Sequence, residues 1–459
     1  MLSVEDTELL TRVGAGTPMG DLMRLYWMPV AYAPELPPDG QPMRVRVLGE
    51  DLLAWRDSAG TPSFFEERCP HRGVSLYYGR NEEGGLRCAY HGWKYDARGQ
   101  CIDMPNEPEA SNFKTKVKIR AYKGADFGGI VWAYLGPDQD DPPAVPAFEW
   151  GLVPEDQLVH GHRTIYECNW MQALEGELDS THVYFLHARL NAQASPKHGL
   201  YLEERRAKFH LLDTEVGMTY AAERPEGPDH IYWRSTHFLF PIYGMWPGAS
   251  DDGATPLSIY LPVDDYTTLH FGIVWHPSRK MGGEMYPKDE FNPEKGSLGS
   301  GVGPMLPHQV GKFFPNSWPV ANPKNDFMMD EDVKRDLSTT GIPTVRLQDS
   351  AVIWSMGAIM DRTREHLGTA DVTVIKVRRK ILAVVKALRD HGVEPPGVHA
   401  PELYTARSCA TVLPKELDWE EALDAWHHCR TNQHPNPGFV SKRAVLERPV
   451  SGSDLGRPR

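Results

Sequence analysis

Cys69-Pro-His71, sixteen intervening residues and then Cys88-Ala-Tyr-His91 form the stretch on which the reading of this chain turns. Two thiolates and two imidazoles, each pair carried on its own short loop, can converge on one inorganic centre. Zinc accepts such a set tetrahedrally. A two-iron two-sulfur cluster, with two thiolates on one iron and two imidazoles on the other, requires the same four residues. Spacing alone therefore predicts a metal site and leaves the metal open.

A chain of 459 residues is several times what one such site needs, so at least one further domain with its own core is expected. Its 41% apolar and 24% charged residues are ordinary for a soluble globular protein. The net charge of -13 and pI near 5.8 argue against a nucleic-acid binder, which would carry a basic surplus. No apolar run approaches the length of a membrane span, and the opening MLSVEDTELL is acidic where a signal peptide would be basic. A cytoplasmic protein without a membrane partner is expected. The remaining cysteines, Cys101, Cys168, Cys409 and Cys429, have no framework spacing and are expected to be free, buried thiols.

Along the chain, residues 1–25 are polar with leucines and a Gly-Thr-Pro interruption, which predicts a short helical segment. Residues 26–140 carry brief alternating runs, such as 43–48 and 52–56, that predict antiparallel strands around the metal loops. Residues 136–146, rich in Pro and Asp, cannot be helix or central strand and mark a domain boundary. Residues 141–430 form the expected second domain. It has strand-like runs at 257–261 and 268–275, and a helix from Asp371 on which Val374, Val377, Ile381, Val384 and Leu388 share one face. A further helix is expected over 418–430 with Asp418 as its N-cap. The Gly- and Pro-rich stretch between His276 and Trp318 is long for a loop in a compact domain and reads either as a lid over the site or as a passive surface excursion, and residues 431–459 read as a polar tail.

The second informative stretch is Asn169-Trp-Met-Gln-Ala-Leu-Glu-Gly-Glu-Leu-Asp-Ser-Thr-His-Val-Tyr-Phe-Leu-His187. At about 100° per residue, Glu175, Asp179 and His182 share one helical stripe. His187 falls about 140° away from His182, so both imidazoles reach one metal only where the helix distorts or ends between them. Two histidines and a carboxylate with open positions make a non-haem iron(II) site that can also take dioxygen. Spacing leaves Asp326, Asp330, Asp336, Asp349 and Asp361 all open as the distant carboxylate.

The flanking residues CPHRGVSL and CAYHGWKYD closely resemble the C-P-H-R and C-x-Y-H-G-W loops of Rieske proteins. That resemblance implies a Rieske-type 2Fe-2S cluster on Cys69, His71, Cys88 and His91, with Trp93 and Tyr90 as cover. Over most of residues 1–390 the chain resembles the catalytic α subunit of Rieske non-haem iron ring-hydroxylating oxygenases, in the phthalate dioxygenase-like branch. GTPMGDLMRLYW, ECNWMQALEGELDSTHVYFLH and VRLQDSAVIWSMGAIMDRTREHLGTADV carry it. The fold implied is α+β: an N-terminal Rieske antiparallel β domain and a catalytic domain with a large antiparallel sheet flanked by helices. His182 and His187 are implied as ligands of the mononuclear iron. The family's Q-D-x-A-V-x-x-S-M-G segment, here residues 348–357, implies Asp349 as the third. Asp179 takes the family's place for a bridge to a cluster histidine of a neighbouring subunit, in a homotrimer or trimer-based oligomer. Trp354 departs from the pattern, where Glu is expected, and is expected to reshape the pocket.

The implied activity is that of a terminal oxygenase, in which electrons reach mononuclear iron through the cluster and dioxygen hydroxylates an aromatic, carboxylated substrate. No GxGxxG segment follows a strand and no flavin site is recognisable, so NAD(P)H must act through a separate flavin or iron-sulfur reductase. Lys208 and Arg234 are the candidate anchors for a buried substrate carboxylate. The alternatives are a Rieske monooxygenase that cleaves an ether or removes a methyl group, and an electron-transfer or metal-binding protein without oxygenase activity.

Overall fold

Ser3 Oγ accepts from Asp6 N and Thr17 Oγ1 from Gly20 N, the side-chain caps that open α1 (Val4–Thr11) and α2 (Pro18–Arg24). Both helices precede the first strand, as the polar, leucine-bearing opening predicts. The computed structural model describes residues 1–188, 190, 206–248, 254–281, 301–307 and 313–427. The polar tail and most of the long loop before Trp318 lie outside the described residues.

The first sheet contains β1 (Trp27–Tyr32), β2 (Met43–Val47), β3 (Glu50–Arg56) and β4 (Pro62–Glu66). β2 shows why it forms: Met43, Val45 and Val47 are buried while Arg44 and Arg46 between them are not, the two-residue period of a strand with one inward face. Four short strands follow as a separate antiparallel sheet: β5 (Arg80–Glu82), β6 (Gly85–Arg87), β7 (Lys94–Tyr95) and β8 (Cys101–Asp103). β9 (Ala121–Phe127) and β10 (Ile130–Tyr134) return to complete a six-stranded antiparallel sheet of order β1-β10-β9-β4-β3-β2. Cys69 and Cys88 are buried in a small apolar cluster of their own with Trp55, Phe65, Leu86 and Tyr95.

The large sheet is assembled from β11 (Leu158–Tyr166), β12 (Lys208–Thr214), β13 (Gly217–Glu226), β14 (His230–Leu239), β15 (Tyr243–Met245), β16 (Thr255–Asp264), β17 (Thr267–Trp275) and β18 (Cys409–Pro414). Among the described residues it is eight-stranded and antiparallel, ordered β11-β17-β16-β15-β14-β13-β12, with β18 beside the first half of β14. Helices α3 (Trp170–Leu178), α4 (His182–Leu186), α5 (Glu331–Asp336), α6 (Val345–Ser355), α7 (Val372–His391) and α8 (Trp419–His427) complete the catalytic half. α7 buries Val374, Val377 and Ile381 of the expected face together with Val385, while Val384 and Leu388 pack half-buried against the core, and the helix stops where Gly392 adopts φ 64°. Asp418 caps α8 by accepting from Glu420 N at 2.8 Å.

One apolar cluster runs from Met28 and Trp132 of the first sheet to Trp170 of α3 and Phe271 of β17, so the two sheets share a core. Arg163 on β11 crosses it to Glu35 at 2.6 Å, with its guanidinium almost wholly buried. Trp170 is fully buried in this cluster. Truncating such a ring costs about 3–5 kcal/mol, and here it would loosen the helix that leads into the histidine segment.

Candidate metal centres

Two loops of the first half are built alike. Cys69 N donates to Val74 O and Gly73 N returns to Cys69 O. In the second loop Cys88 N donates to Trp93 O and Gly92 N returns to Cys88 O. Each loop thus closes on the fourth residue after its cysteine, and Gly73 and Gly92 take φ 73° and 75°, a left-handed turn that a side chain would strain. The result presents His71 and His91 together, with ring centroids 4.5 Å apart, above two buried thiols. His91 Nδ1 is buried with no hydrogen-bond partner among the described residues, as a nitrogen that offers its lone pair to a metal would be. Two buried sulfurs at one end and two adjacent imidazoles at the other fit a 2Fe-2S unit with unlike irons.

Cover for this site comes from three rings. Trp93 stacks on His71 at 4.2 Å and is held by its Nε1 donating to Asn106 Oδ1 at 2.8 Å. Tyr90 lies 3.8 Å from His91 by ring centroids but stays half exposed. Tyr95, not singled out in the sequence reading, puts its hydroxyl 3.3 Å from Cys69 Sγ. Burial and the Cys88 charge push the Cys69 thiol up, so a metal must supply the charge that makes it a thiolate.

In the second half, the continuous helical stripe expected through Glu175, Asp179 and His182 is not formed. α3 ends at Leu178 and Asp179 is extended, because Asp179 Oδ1 accepts from both Thr181 N at 2.7 Å and Thr181 Oγ1 at 2.6 Å. A new turn, α4, begins at His182 and ends at Leu186, which leaves His187 free to swing toward His182. The required break therefore lies between the two histidines, with a second before them. Glu175 faces elsewhere, paired with Arg378 at 2.6 Å and Arg362 at 3.3 Å in the core.

α6 brings the carboxylate. Asp349 Oδ1 is 3.1 Å from His187 Nε2 and 3.5 Å from His182 Nε2, and one ligand atom from each of the three residues lies within 4.8 Å of the others. Asp326, Asp330, Asp336 and Asp361 are exposed and do not join them. The approach depends on a clamp. Gln172 of α3 donates to Ile353 O at 3.2 Å and Gly357 O at 2.8 Å and accepts from Met360 N at 2.9 Å. Gly176 lets α6 come close, since a Cβ there would lie 2.7 Å from Ile353 Cδ1.

Three donor atoms of types N, N and O, gathered on half-buried side chains, fit a metal that keeps open positions. Gln348, next to the carboxylate, fixes one ligand: its Nε2 donates to Ile342 O at 3.1 Å, so its Oε1 must accept from His187 Nδ1 at 2.7 Å. With a metal bound, His187 Nε2 would be the nitrogen that offers it a lone pair, on the Asp349 side. Burial alone would lower His182, but Asp179 and Asp349 on its two sides push it up to about 10. Burial would likewise raise Asp349, yet His187 and His182 hold its carboxyl well below the usual carboxylate range. Without a cation this cluster keeps a proton, and a bound metal ion would replace it.

Other expected residues are placed apart. Lys208 is on the outer edge strand, mostly solvent-exposed and 3.3 Å from Glu223. Arg234 is buried on β14, on the face of the sheet that carries Tyr220. Tyr220 is buried within electrostatic reach of Asp179, Arg224 and Arg234. Trp354 does not reshape a pocket at the iron segment. It turns about 140° from Asp349 and packs on Phe327, with ring centroids 5.5 Å apart, beside Ala321, Ile342 and Leu347. Cys101, Cys168 and Cys409 are free and buried as expected, and Cys429 lies outside the described residues.

The two halves are matched by separate families. Residues 26–120 match the Rieske [2Fe-2S] domain, and residues 133–436 match the LigXa C-terminal domain like family. The 3-chlorobenzoate-3,4-dioxygenase oxygenase subunit of Comamonas testosteroni is 37% identical over 436 residues, covering 92% of this chain and 98% of that protein. The phthalate 4,5-dioxygenase oxygenase subunit of Pseudomonas putida is also 37% identical, covering 92% of this chain and 94% of that protein. In fold the chain is similar to Pseudomonas putida CBB5 NdmA with caffeine, at TM-score 0.56 and 18% identity over 82% of this chain and 95% of that one. The chain belongs to the Rieske aromatic oxygenases of the phthalate dioxygenase type. It is a Rieske non-haem iron oxygenase whose cofactors are a 2Fe-2S cluster and a mononuclear iron. As the oxygenase subunit of a multicomponent system it draws electrons from a reductase. Among the described residues no helix is long and apolar enough to cross a membrane.

Proposed function

We propose that this protein hydroxylates an aromatic carboxylate, with His182, His187 and Asp349 holding the mononuclear iron and Cys69, His71, Cys88 and His91 holding the cluster. The observation that carries the reading is the convergence of those three side chains, with donor atoms within 4.8 Å, in a chain whose first half bears the cluster motif. When bound, the cluster delivers single electrons and the iron activates dioxygen. The protein's own part is placement. Gln348 sets the tautomer of His187, the Gln172 clamp fixes α6 against α3, and the glycine turns hold His71 and His91 outward.

The electron donor is proposed to be a flavin and iron-sulfur reductase that oxidises NAD(P)H, and the compartment the cytoplasm. Asp179 is proposed to carry electrons on toward the iron site. Its Oδ2 lies 3.5 Å from His182 Nδ1, and the side chain is partly exposed. Exposed apolar residues beside each centre, Tyr90 near the cluster loops and Phe185 and Val352 near the iron segment, support a homotrimer in which one subunit's cluster loops cover the next subunit's Asp179. Arg234, on the face shared with Tyr220, is proposed as a substrate contact on the Asp179 flank.

Protein loaded with both iron centres, reductase and NADH is expected to place oxygen from isotopically labelled dioxygen into an aromatic acid. Electron consumption without oxygenated product, across a panel of aromatic acids, would refute this reading.

A further inference from the structure

β16 and β17 pair Ser258 with Gly272 and Tyr260 with His270, so these four residues share one face of the sheet, turned toward α6. Gly272 provides no side chain in that row, and a cavity opens there, lined by Arg346 and by Pro256, Ile273 and Val302. Three polar groups lining it have no hydrogen-bond partner among the described residues: the His270 ring, at both nitrogens, the Ser258 hydroxyl and Trp246 Nε1. His270 is 3% exposed and Ser258 1%. Orphaned polar atoms are costly in a core, and several facing one space mark it as built for a polar occupant.

Arg346 supplies the charge. Among the described residues its one hydrogen-bond partner is Glu177, at 3.0 Å from Nη1, which Tyr260 also holds. Its Nε and Nη2 have no other partner among the described residues, and Arg346 lines the cavity. Burial, then the nearby Arg346, keep His270 neutral, so one of its nitrogens donates. On α6, Arg346 precedes Asp349 by three residues, about 4.5 Å along the axis. An occupant of the cavity is therefore a near neighbour of the iron segment.

We infer that this cavity binds the carboxylate of the aromatic substrate, with Arg346 as counter-charge and Ser258, His270 and Trp246 as hydrogen-bond donors. A carboxylate leaving water needs such a fixed cation and several donors. The apolar walls receive the ring. The inference rests on the oxygenase reading of His182, His187 and Asp349, and it assigns specificity to the flank opposite Arg234.

The test is calorimetric titration of the iron-loaded enzyme, without reductase, using benzoate and its neutral isostere benzamide. Benzoate is expected to bind at least tenfold tighter than benzamide. Arg346→Gln should abolish that preference, and Gly272→Val, which fills the cavity without changing charge, should weaken benzoate at least tenfold. Both effects should appear with unchanged mononuclear iron content and cluster absorption. Absence of benzoate binding, an equal affinity for benzamide, unchanged benzoate affinity in Gly272→Val, or loss of the preference through Arg234→Ala but not Arg346→Gln would overturn the inference. Binding is read here without turnover. Wild-type protein that takes up no mononuclear iron would instead refute the oxygenase reading.

Discussion

His187 Nδ1 lies 2.7 Å from Gln348 Oε1, and the amide nitrogen of the same Gln348 is engaged by Ile342 O at 3.1 Å. The amide is thus oriented from behind and in turn orients the imidazole. Gln348→Ala should lower mononuclear iron affinity by roughly 10–100-fold, the usual cost of losing a group that orients a ligand. Chelator competition monitored by iron content measures this, and an unchanged competition curve would show that Gln348 orients nothing.

Asp349→Ala should lose the mononuclear iron and all oxygenation while keeping the cluster's visible absorption, because the cluster loops lie in a separate apolar unit. Iron analysis per chain distinguishes one lost iron from three. Full retention of iron and activity would return attention to the exposed carboxylates Asp326 and Asp361.

Asp179→Asn preserves shape but removes the charge that faces His182. Both metals should stay bound and the reductase should still reduce the cluster, while transfer to the mononuclear iron slows by orders of magnitude. Single-turnover kinetics with substrate and dioxygen reports it. If cluster reoxidation keeps its wild-type rate, Asp179 is no bridge and only shapes the turn before α4.

Tyr95→Phe removes the hydroxyl 3.3 Å from Cys69 Sγ. A donor to a cluster sulfur stabilises the more negative, reduced state, so its loss should lower the cluster potential. A hydrogen bond contributes about 1 kcal/mol net, which corresponds to roughly 40 mV for one electron. Protein-film voltammetry would read the shift, and a rise in potential would contradict the assigned donor.

Glu175 is buried against Arg378 and Arg362. Burial would raise its carboxyl, but the two guanidinium groups lower it below the ordinary value of 4.5. Because the folded value is depressed, its contribution to stability is present above about pH 4.5 and fades as pH falls through the folded value. Glu175→Gln should therefore cost about 3–5 kcal/mol near neutral pH, where it leaves buried cations underpaired. The gap to wild type should narrow by pH 4. Denaturant titrations at the two pH values test this, and a gap that widens in acid would contradict it.

Much of the site is legible in the sequence alone, for a physical reason. Cys69, His71, Cys88 and His91 lie on two loops whose closure is local, so their spacing along the chain is close to their geometry in space. His182 and His187 are likewise near in sequence, and their mismatch with helical periodicity already required a break between them. Alternation in residues 43–47 and the apolar face of α7 were legible because each element buries one side.

Contacts between residues distant in sequence belong to the tertiary structure alone. Five aspartates were open by spacing, and what brings Asp349 to the histidines is packing: Gln172 holding the end of α6 and Gly176 letting Ile353 approach. Asp179 left the helix because Thr181 offered its backbone and hydroxyl a better partner than the next helical turn. Trp354 turned away from the site because Phe327 and its neighbours bury the ring. Ser258, His270 and Arg346 have no motif in common; sheet register and the placement of α6 set them around one cavity, where Ser258 and His270 are buried with no hydrogen-bond partner among the described residues.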